Sequence, residues 1–230
     1  MNTVRLFCDG WEFCKNPIET DYEHASGWHR VDIPHDWLIY QTEDLYETST
    51  GWYRRTFTAR TGVRTAVRFD GVYMDSKVYV NGKLAGEWKY GYSTFEFDIT
   101  DLVKDGENII AVRVDYRCPN TRWYSGAGIE HHVEMETLER VCLEPGSLYV
   151  TSRPMDDALE TWEVTVTAEM GPDPAAEDAT CEILAMDGRC LAESAMQRDG
   201  DTVKRILTLA HASKWDPDDP VIMRARVPLC

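Results

Sequence analysis

The sequence predicts an all-β protein made of two β-sandwich domains, a jelly roll followed by an immunoglobulin-like sandwich. Apolar and polar residues alternate through many short segments, and turn-forming Asn-Gly and Asp-Gly pairs follow two of these segments. No window of a dozen residues has the 3.6-residue apolar repeat of a capped helix. Two-residue turns join antiparallel strands, so antiparallel sheets are expected.

The predicted strands follow this alternation in order along the chain. They cover Thr65–Phe69, Ser76–Val80, Asn108–Asp115, Trp162–Ala168 and Val221–Val227. Asn81-Gly82 and Asp187-Gly188 are each expected to form a type I′ hairpin turn, because both pairs tolerate positive φ angles. Residues 98–103 could form one short helical turn.

The 230-residue chain is expected to hold two domains, residues 1–145 and 146–230. Pro145-Gly146 interrupts the strand pattern, and six of eight Trp and ten of eleven Tyr precede it. The first part is long enough for an eight-stranded jelly roll, and the remaining ~85 residues suit a seven-stranded immunoglobulin-like sandwich. Residues 171–178 read as an exposed loop between strands.

The composition indicates a folded, acidic protein. Hydrophobic residues make up 43% of the chain, and 24 Lys and Arg face 40 Asp and Glu, which gives a net charge of −16. A phosphate backbone or an anionic membrane surface would be repelled, so neither nucleic acid nor membrane is expected as a partner. No secretory signal and no apolar stretch of ~18 residues is visible, so a cytoplasmic location is expected.

Common catalytic and metal-binding motifs do not fit. The seven cysteines form no Cys-x-x-Cys pair and are interpreted as reduced thiols, so no metal or cofactor is expected. Gly126-Ala127-Gly128 lacks the third glycine of a dinucleotide loop, and Ser125 lacks the preceding glycine of a nucleophile elbow. His131 and His132 would point to opposite faces of a strand. A glycosidase needs a pair of carboxylates, and the sequence singles out no such pair among its forty Asp and Glu residues.

The segment 118–129 is the candidate for binding a ligand. It places Asn120, Arg122, Trp123 and Tyr124 in a turn-forming stretch directly after a strong strand, where a sandwich presents its end loops. Aromatic faces can stack on a pyranose, while Asn and Arg can hydrogen-bond to hydroxyls. A packed loop, with Trp123 in the core and Arg122 paired locally, fits these residues equally well.

A series of motifs also resembles the amino-terminal part of glycoside hydrolase family 2, particularly its β-galactosidase-like branch. Their collinear order across roughly residues 6–133 makes the resemblance specific. The motifs are Asp9-Gly10-Trp11-Glu12-Phe13, Pro34-His35-Asp36-Trp37, Gly51-Trp52-Tyr53-Arg54, Phe69-Asp70-Gly71, Val80-Asn81-Gly82, Phe97-Asp98-Ile99-Thr100 and the run from Gly106 to Asp115.

The resemblance implies a galactose-binding-like jelly roll and an immunoglobulin-like sandwich that precede a catalytic (β/α)₈ barrel. In this family the two catalytic glutamates lie on that barrel, which needs about 250 residues, so these 230 residues should not hydrolyse glycosides alone and no catalytic residue is assigned. The implied partners are a β-galactoside-like carbohydrate and the barrel, and a homo-oligomer is possible.

The resemblance also assigns candidate substrate-binding residues. The loop Asn120–Gly128 corresponds to one that reaches the barrel mouth, so Asn120, Arg122, Trp123 and Tyr124 are candidates for lining the sugar subsite. Asp36 and Trp37 could support the same pocket or simply form a packed turn. Glu130-His131 stands where the family commonly has Tyr-Arg, which bears on barrel docking and substrate identity.

Two other functions remain open at this point. A jelly roll could act as a free-standing carbohydrate-binding module, and the aromatic-rich first domain could be a structural interaction module that docks a partner chain. Binding of galactosides by the chain alone would favour the carbohydrate-binding module over a glycosidase subdomain.

Overall fold

The computed structural model describes residues 3–40, 42–138, 142–171, 179–212 and 214–229. The chain divides into two compact units, Met1–Leu138 and Glu139–Cys230. The division falls before the Pro145-Gly146 signal because Leu143 bridges Met170 and Gly171 N–H donates to Cys142 O over 2.7 Å, both inside the second unit. Within the described segments, no helix has both the length and the apolar character of a membrane span.

The described part of the first unit contains twelve strands and two 3₁₀ turns. The strands are β1 (Thr3–Leu6), β2 (Trp11–Pro17), β3 (His29–Val31), β4 (His35–Asp36), β5 (Ser49–Ala59), β6 (Arg64–Phe69), β7 (Ser76–Val80), β8 (Lys83–Trp88), β9 (Phe95–Asp98), β10 (Gly106–Tyr116), β11 (Gly128–Ile129) and β12 (Val133–Leu138). The 3₁₀ turns are η1 (Tyr22–His24) and η2 (Leu38–Tyr40).

These strands form a jelly-roll sandwich. One sheet has the order β1-β12-β6-β9 and the other β3-β2-β5-β10-β7-β8, while β11 pairs with β4 in a short ribbon. Every pairing is antiparallel, as expected, and β10 pairs with β5 along its whole length. The three predicted strands in this unit are confirmed as β6, β7 and most of β10.

An aromatic-rich core lies between the two larger sheets. Val67 and Met135 from one sheet pack with Phe13, Tyr53 and Val112 from the other. Alternation along each strand places these side chains inward, as the period of two predicts.

Gly51 on β5 keeps space for an aromatic pair in that core. A Cβ at Gly51 would lie 2.5 Å from Trp37 Cζ3 and 2.9 Å from Phe13 Cε2. Trp37 and Phe13 stack there with ring centroids 5.5 Å apart. Any larger residue at position 51 would displace these rings.

The two predicted hairpin turns have different outcomes. Asn81 (φ 51°) and Gly82 (φ 78°) both have positive φ and join β7 to β8, which confirms the type I′ turn. At the second pair only Gly188 has positive φ (87°), so the type I′ prediction for Asp187-Gly188 is wrong. Gly188 N–H donates to Ala185 O, and the extra residue of this longer connection makes Gly188 the one left-handed position.

The described part of the second unit has the seven strands of an immunoglobulin-like sandwich. They are β13 (Tyr149–Pro154), β14 (Thr161–Glu169), β15 (Thr180–Ala185), β16 (Cys190–Ala195), β17 (Gln197–Asp199), β18 (Thr202–Ala210) and β19 (Met223–Arg226).

Two antiparallel sheets, β13-β14-β18-β17 and β16-β15-β19, enclose the second core. Val164, Val166 and Leu207 of the first sheet meet Cys181 and Ile183 of the other. The predicted strands Trp162–Ala168 and Val221–Val227 correspond to β14 and the shorter β19. Of the predicted loop 171–178, residues 172–178 lie outside the described residues.

Candidate functional site

The candidate loop lies between β10 and β11 at one end of the jelly roll. The strand β10 ends at Tyr116, and β11 begins at Gly128. Gly128 pairs with Asp36 and Ile129 with His35, so the β4–β11 ribbon brings the two candidate segments together. Gly128 also bridges Tyr73 through two backbone hydrogen bonds of 2.8 and 2.9 Å. The base of the loop is therefore anchored on both sides.

Asp36 organises this region through its carboxylate. Its Oδ1 accepts hydrogen bonds from Leu38 N–H and Ala127 N–H, each over 3.0 Å. Its Oδ2 accepts a hydrogen bond from the Tyr124 hydroxyl. Two predicted residues from separate parts of the sequence thus contact each other, and Asp36 connects η2 to the candidate loop.

A second carboxyl group, that of Glu130, lies close to Asp36, and both are near Gly126. A Cβ built on Gly126 would overlap the Glu130 carboxyl, with Cδ 2.7 Å away, and would lie 3.2 Å from Asp36 Oδ2. The Glu130 Cδ and the Asp36 oxygen are therefore at most 5.9 Å apart, the sum of those distances. Gly126 has φ 75°, so glycine satisfies both the backbone and the space requirement.

Burial and the neighbouring charge shift the ionisation of this cluster. Burial, reinforced by the Asp36 carboxylate, raises the pKa of Glu130 to about 8. Burial also raises the pKa of Tyr124, and its hydrogen bond to Asp36 adds to that shift. At neutral pH, Glu130 and Tyr124 are consequently protonated beside Asp36.

The four candidate residues of the loop itself face solvent to different degrees. Trp123 is 63% exposed and Tyr124 39%, while Arg122 and Asn120 are also exposed. Asn120 Nδ2–H donates to Arg117 O over 2.8 Å and to Met74 Sδ over 3.6 Å, so its amide nitrogen is held by its own chain. The loop therefore presents an indole face, a guanidinium and a carboxamide on one short segment.

Trp37 has a different position from the other candidates. It is only 4% exposed, stacks on Phe13, and donates from Nε1 to Ser49 Oγ over 3.2 Å. Its backbone N–H donates to Ala127 O over 3.0 Å. Trp37 can thus support the loop from the core but does not present a face to a ligand within this unit.

Sequence reasoning did not nominate four residues that lie around this cluster. Tyr40 is 74% exposed and stacks on His35 with a centroid distance of 5.6 Å. The Tyr53 hydroxyl lies 2.8 Å from His35 Nδ1, and burial lowers the pKa of His35 to about 4. Glu130 was noted only as a departure from the family pattern, which was the one available signal for it.

The described side chains form no cluster that could bind a metal ion. Across the residues with described positions, no group of three His, Cys, Asp or Glu side chains could hold an ion. Among the cysteines with described positions, Cys14, Cys142 and Cys181 are buried, and Cys190 is exposed.

Comparison with known proteins identifies the family. Residues 24–140, just over half of the chain, match the model for "Glycosyl hydrolases family 2, sugar binding domain". The chain belongs to glycosyl hydrolase family 2. The matched region begins at the last residue of η1, runs past the end of β12 and includes every candidate residue, so the candidate loop lies inside this family's sugar-binding domain.

Relatives extend the match beyond that domain. A β-galactosidase of Bacteroides ovatus is 33% identical over 216 residues, which cover 85% of this chain and 25% of the relative. A β-glucuronidase of Bacteroides fragilis is 30% identical over 184 residues, 69% of this chain and 25% of the relative. The family 2 chain thus spans about a quarter of the length of these relatives.

A solved structure confirms the fold across both units. A glycosyl hydrolase family 2 member from Bacteroides cellulosilyticus has a TM-score of 0.82 and 27% identity, and the match covers 99% of this chain and 34% of that one. This supports the order of jelly roll and immunoglobulin-like sandwich that the sequence predicted.

Proposed function

We propose that this chain is the non-catalytic amino-terminal region of a family 2 glycosidase that hydrolyses a β-galactoside-like substrate. In this proposal it supports a carboxyl-terminal (β/α)₈ barrel and lines the barrel's sugar subsite. The observation that carries the proposal is the exposed loop 120–124, which lies at one end of the family's sugar-binding domain and is anchored by Asp36.

The side chains of the loop suit recognition of a sugar. The exposed indole of Trp123 offers an apolar face of the kind that stacks on the C–H face of a pyranose. The Arg122 guanidinium and the Asn120 carboxamide can exchange directed hydrogen bonds with hydroxyls. Asp36 fixes Tyr124 through their hydrogen bond, so Tyr124 is held at the edge of this surface.

The adjacent carboxyl pair does not supply glycosidase chemistry. A retaining enzyme holds two carboxyl groups about 5–5.5 Å apart with the scissile bond between them. Here both carboxyl groups lie against the backbone of Gly126, and Asp36 already accepts three hydrogen bonds from its own chain, so the pair is committed to internal contacts. The acid and the nucleophile are therefore assigned to the barrel.

The first test is an Asn120→Ala substitution in the complete enzyme that carries this region. Lost hydrogen bonds to substrate hydroxyls are worth about 1–3 kcal/mol, so kcat/KM should fall roughly 5- to 150-fold. Gln197→Ala, which removes an exposed carboxamide from β17 of the second unit, is the matched control and should leave kcat/KM unchanged. Equal kinetics for the two variants would remove Asn120 from the subsite.

The second candidate function is a free-standing carbohydrate-binding module, which the exposure of Trp123 and Tyr40 favours. Calorimetric titration of the chain with galactosides and glucuronides distinguishes the two functions. Millimolar or tighter binding by the chain alone supports the module. Binding that appears only when the barrel is present supports the glycosidase region.

A further inference from the structure

The Glu130 carboxyl packs directly against the backbone of the candidate loop. It occupies the space beside Gly126 that any other residue would fill with a Cβ, and it is partly buried there. The adjacent Asp36 carboxylate holds the next loop residue, Ala127, and Tyr124. Both carboxyl groups therefore contact residues 124–127 of the loop. Glu130 itself directly follows β11, the strand in which the loop ends.

We propose that Glu130 and Asp36 form a pH-dependent latch that keeps the loop 120–127 in place while Glu130 is protonated and releases it when Glu130 ionises. Two carboxylates less than 6 Å apart in a partly buried site repel each other. Glu130 is only partly buried, and moving the charged side chain away from Gly126 and Asp36 increases its solvation by water. Its departure removes the contact of Glu130 with the loop at Gly126, while the base of the loop stays paired to β4 through Gly128.

The surrounding titratable groups favour this behaviour. Asp36 of β4, Tyr124 of the loop and Tyr53 of β5 are the groups whose charges interact with Glu130. Both tyrosines have raised pKa values, so they stay neutral through the range in which Glu130 ionises. His35, beside Tyr53, is neutral above pH 4, so it supplies no positive charge to stabilise an ionised Glu130.

Carboxyl ¹³C NMR of the isotopically labelled chain tests the latch directly. Between pH 5 and 10 we expect the Glu130 carboxyl to titrate with a midpoint near pH 8, together with the backbone amides of Ala127 and Leu38. A Glu130 midpoint near the ordinary value of about 4.3, or an unchanged Ala127 amide, would overturn the proposal. This measurement needs no variant, so it does not depend on whether a substitution folds.

Two variants show which group causes the transition. Glu130→Gln keeps a neutral polar side chain and should abolish the amide transition near pH 8. Glu134→Gln, a carboxyl on β12, is the matched control and should retain it. Asp36→Asn should lower the Glu130 midpoint, since the charge that opposes its ionisation is gone. Persistence of the amide transition in Glu130→Gln would contradict the latch.

The consequence for sugar binding rests on the proposed function. In the complete enzyme, KM should rise above pH 8 in the wild type by more than in Glu130→Gln, because the released loop no longer completes the subsite. An NMR transition with identical KM profiles would refute the position of the loop at the subsite and leave the latch intact. Failure of the NMR transition itself would refute the latch and leave the proposed function intact.

Discussion

Replacing Asp36 by alanine should destabilise the first unit by about 2–4 kcal/mol, because its carboxylate satisfies three donors at once. The Ala127 N–H is fully buried, so its loss of a partner carries a desolvation cost of about 1–3 kcal/mol. Leu38 is itself only 1% exposed, so its N–H also loses a partner in a largely buried position. Loss of the charge beside Glu130 offsets a small part of the total.

The Asp36→Asn variant separates hydrogen bonding from charge. Its carbonyl oxygen can still accept from Ala127 and Leu38, while its amide can donate to the Tyr124 hydroxyl oxygen. It should therefore cost about 1 kcal/mol, no more than half the effect of Asp36→Ala.

Urea unfolding followed by tryptophan fluorescence measures this difference. With a slope of about 1–3 kcal/mol/M, a loss of 3 kcal/mol moves the midpoint of the first unit's transition by at least ~1 M. Asp32→Ala, at an exposed carboxylate four residues earlier, is the control and should remain within ~0.5 kcal/mol of the wild type. An Asp36→Ala protein as stable as this control, or an Asn variant as unstable as the Ala variant, would refute the assignment of Asp36 as the anchor.

Three further predictions address the cluster and the core. Gly126→Ala should cost at least ~2 kcal/mol in urea unfolding, from its positive φ and its overlap with Glu130, and adding Glu130→Ala should recover the overlap part. The pKa of His35 in the folded protein is lowered to about 4, so its contribution to stability is complete above about pH 6.5 and is lost as the pH falls toward 4. Over that range the unfolding free energy of His35→Gln should fall less steeply than that of the wild type. Trp37→Ala should lower stability by about 3–5 kcal/mol in the same assay, whereas Trp123→Ala should change it by less than ~1 kcal/mol.

The strands could be predicted because each depends on residues close together in the sequence. Val164, Val166 and Ala168 reveal their buried face through a period of two, and Asn81-Gly82 sets both positive φ angles of its turn locally. Asp187-Gly188 shows the limit of this reasoning. The same type of pair takes another turn there because the number of residues between the paired strand ends also decides the geometry.

The site was only partly predictable for a related reason. The sequence located its residue types, but the hydrogen bond between Asp36 and Tyr124 joins positions 88 residues apart. No local pattern shows that contact, nor that Glu130 and Asp36 both lie close to Gly126. Whether a given tryptophan is exposed also cannot be predicted from its neighbours in the sequence. Trp37 and Trp123 both follow turn-forming residues, yet the packing of neighbouring strands buries Trp37 and leaves Trp123 exposed.

A strongly shifted carboxyl pKa often marks a catalytic site, but the same shift arises wherever burial and a like charge coincide. Accessibility distinguishes the two cases at Glu130. A catalytic acid must reach a substrate oxygen within hydrogen-bonding distance, and its partner carboxylate must be free to attack or to stabilise charge. Asp36 instead accepts three hydrogen bonds from its own chain, and Glu130 faces the backbone of Gly126. The raised pKa of Glu130 therefore results from its position against the loop and does not mark a catalytic acid. The exposed side chains of Asn120, Arg122 and Trp123 are the ones to test for contact with a sugar.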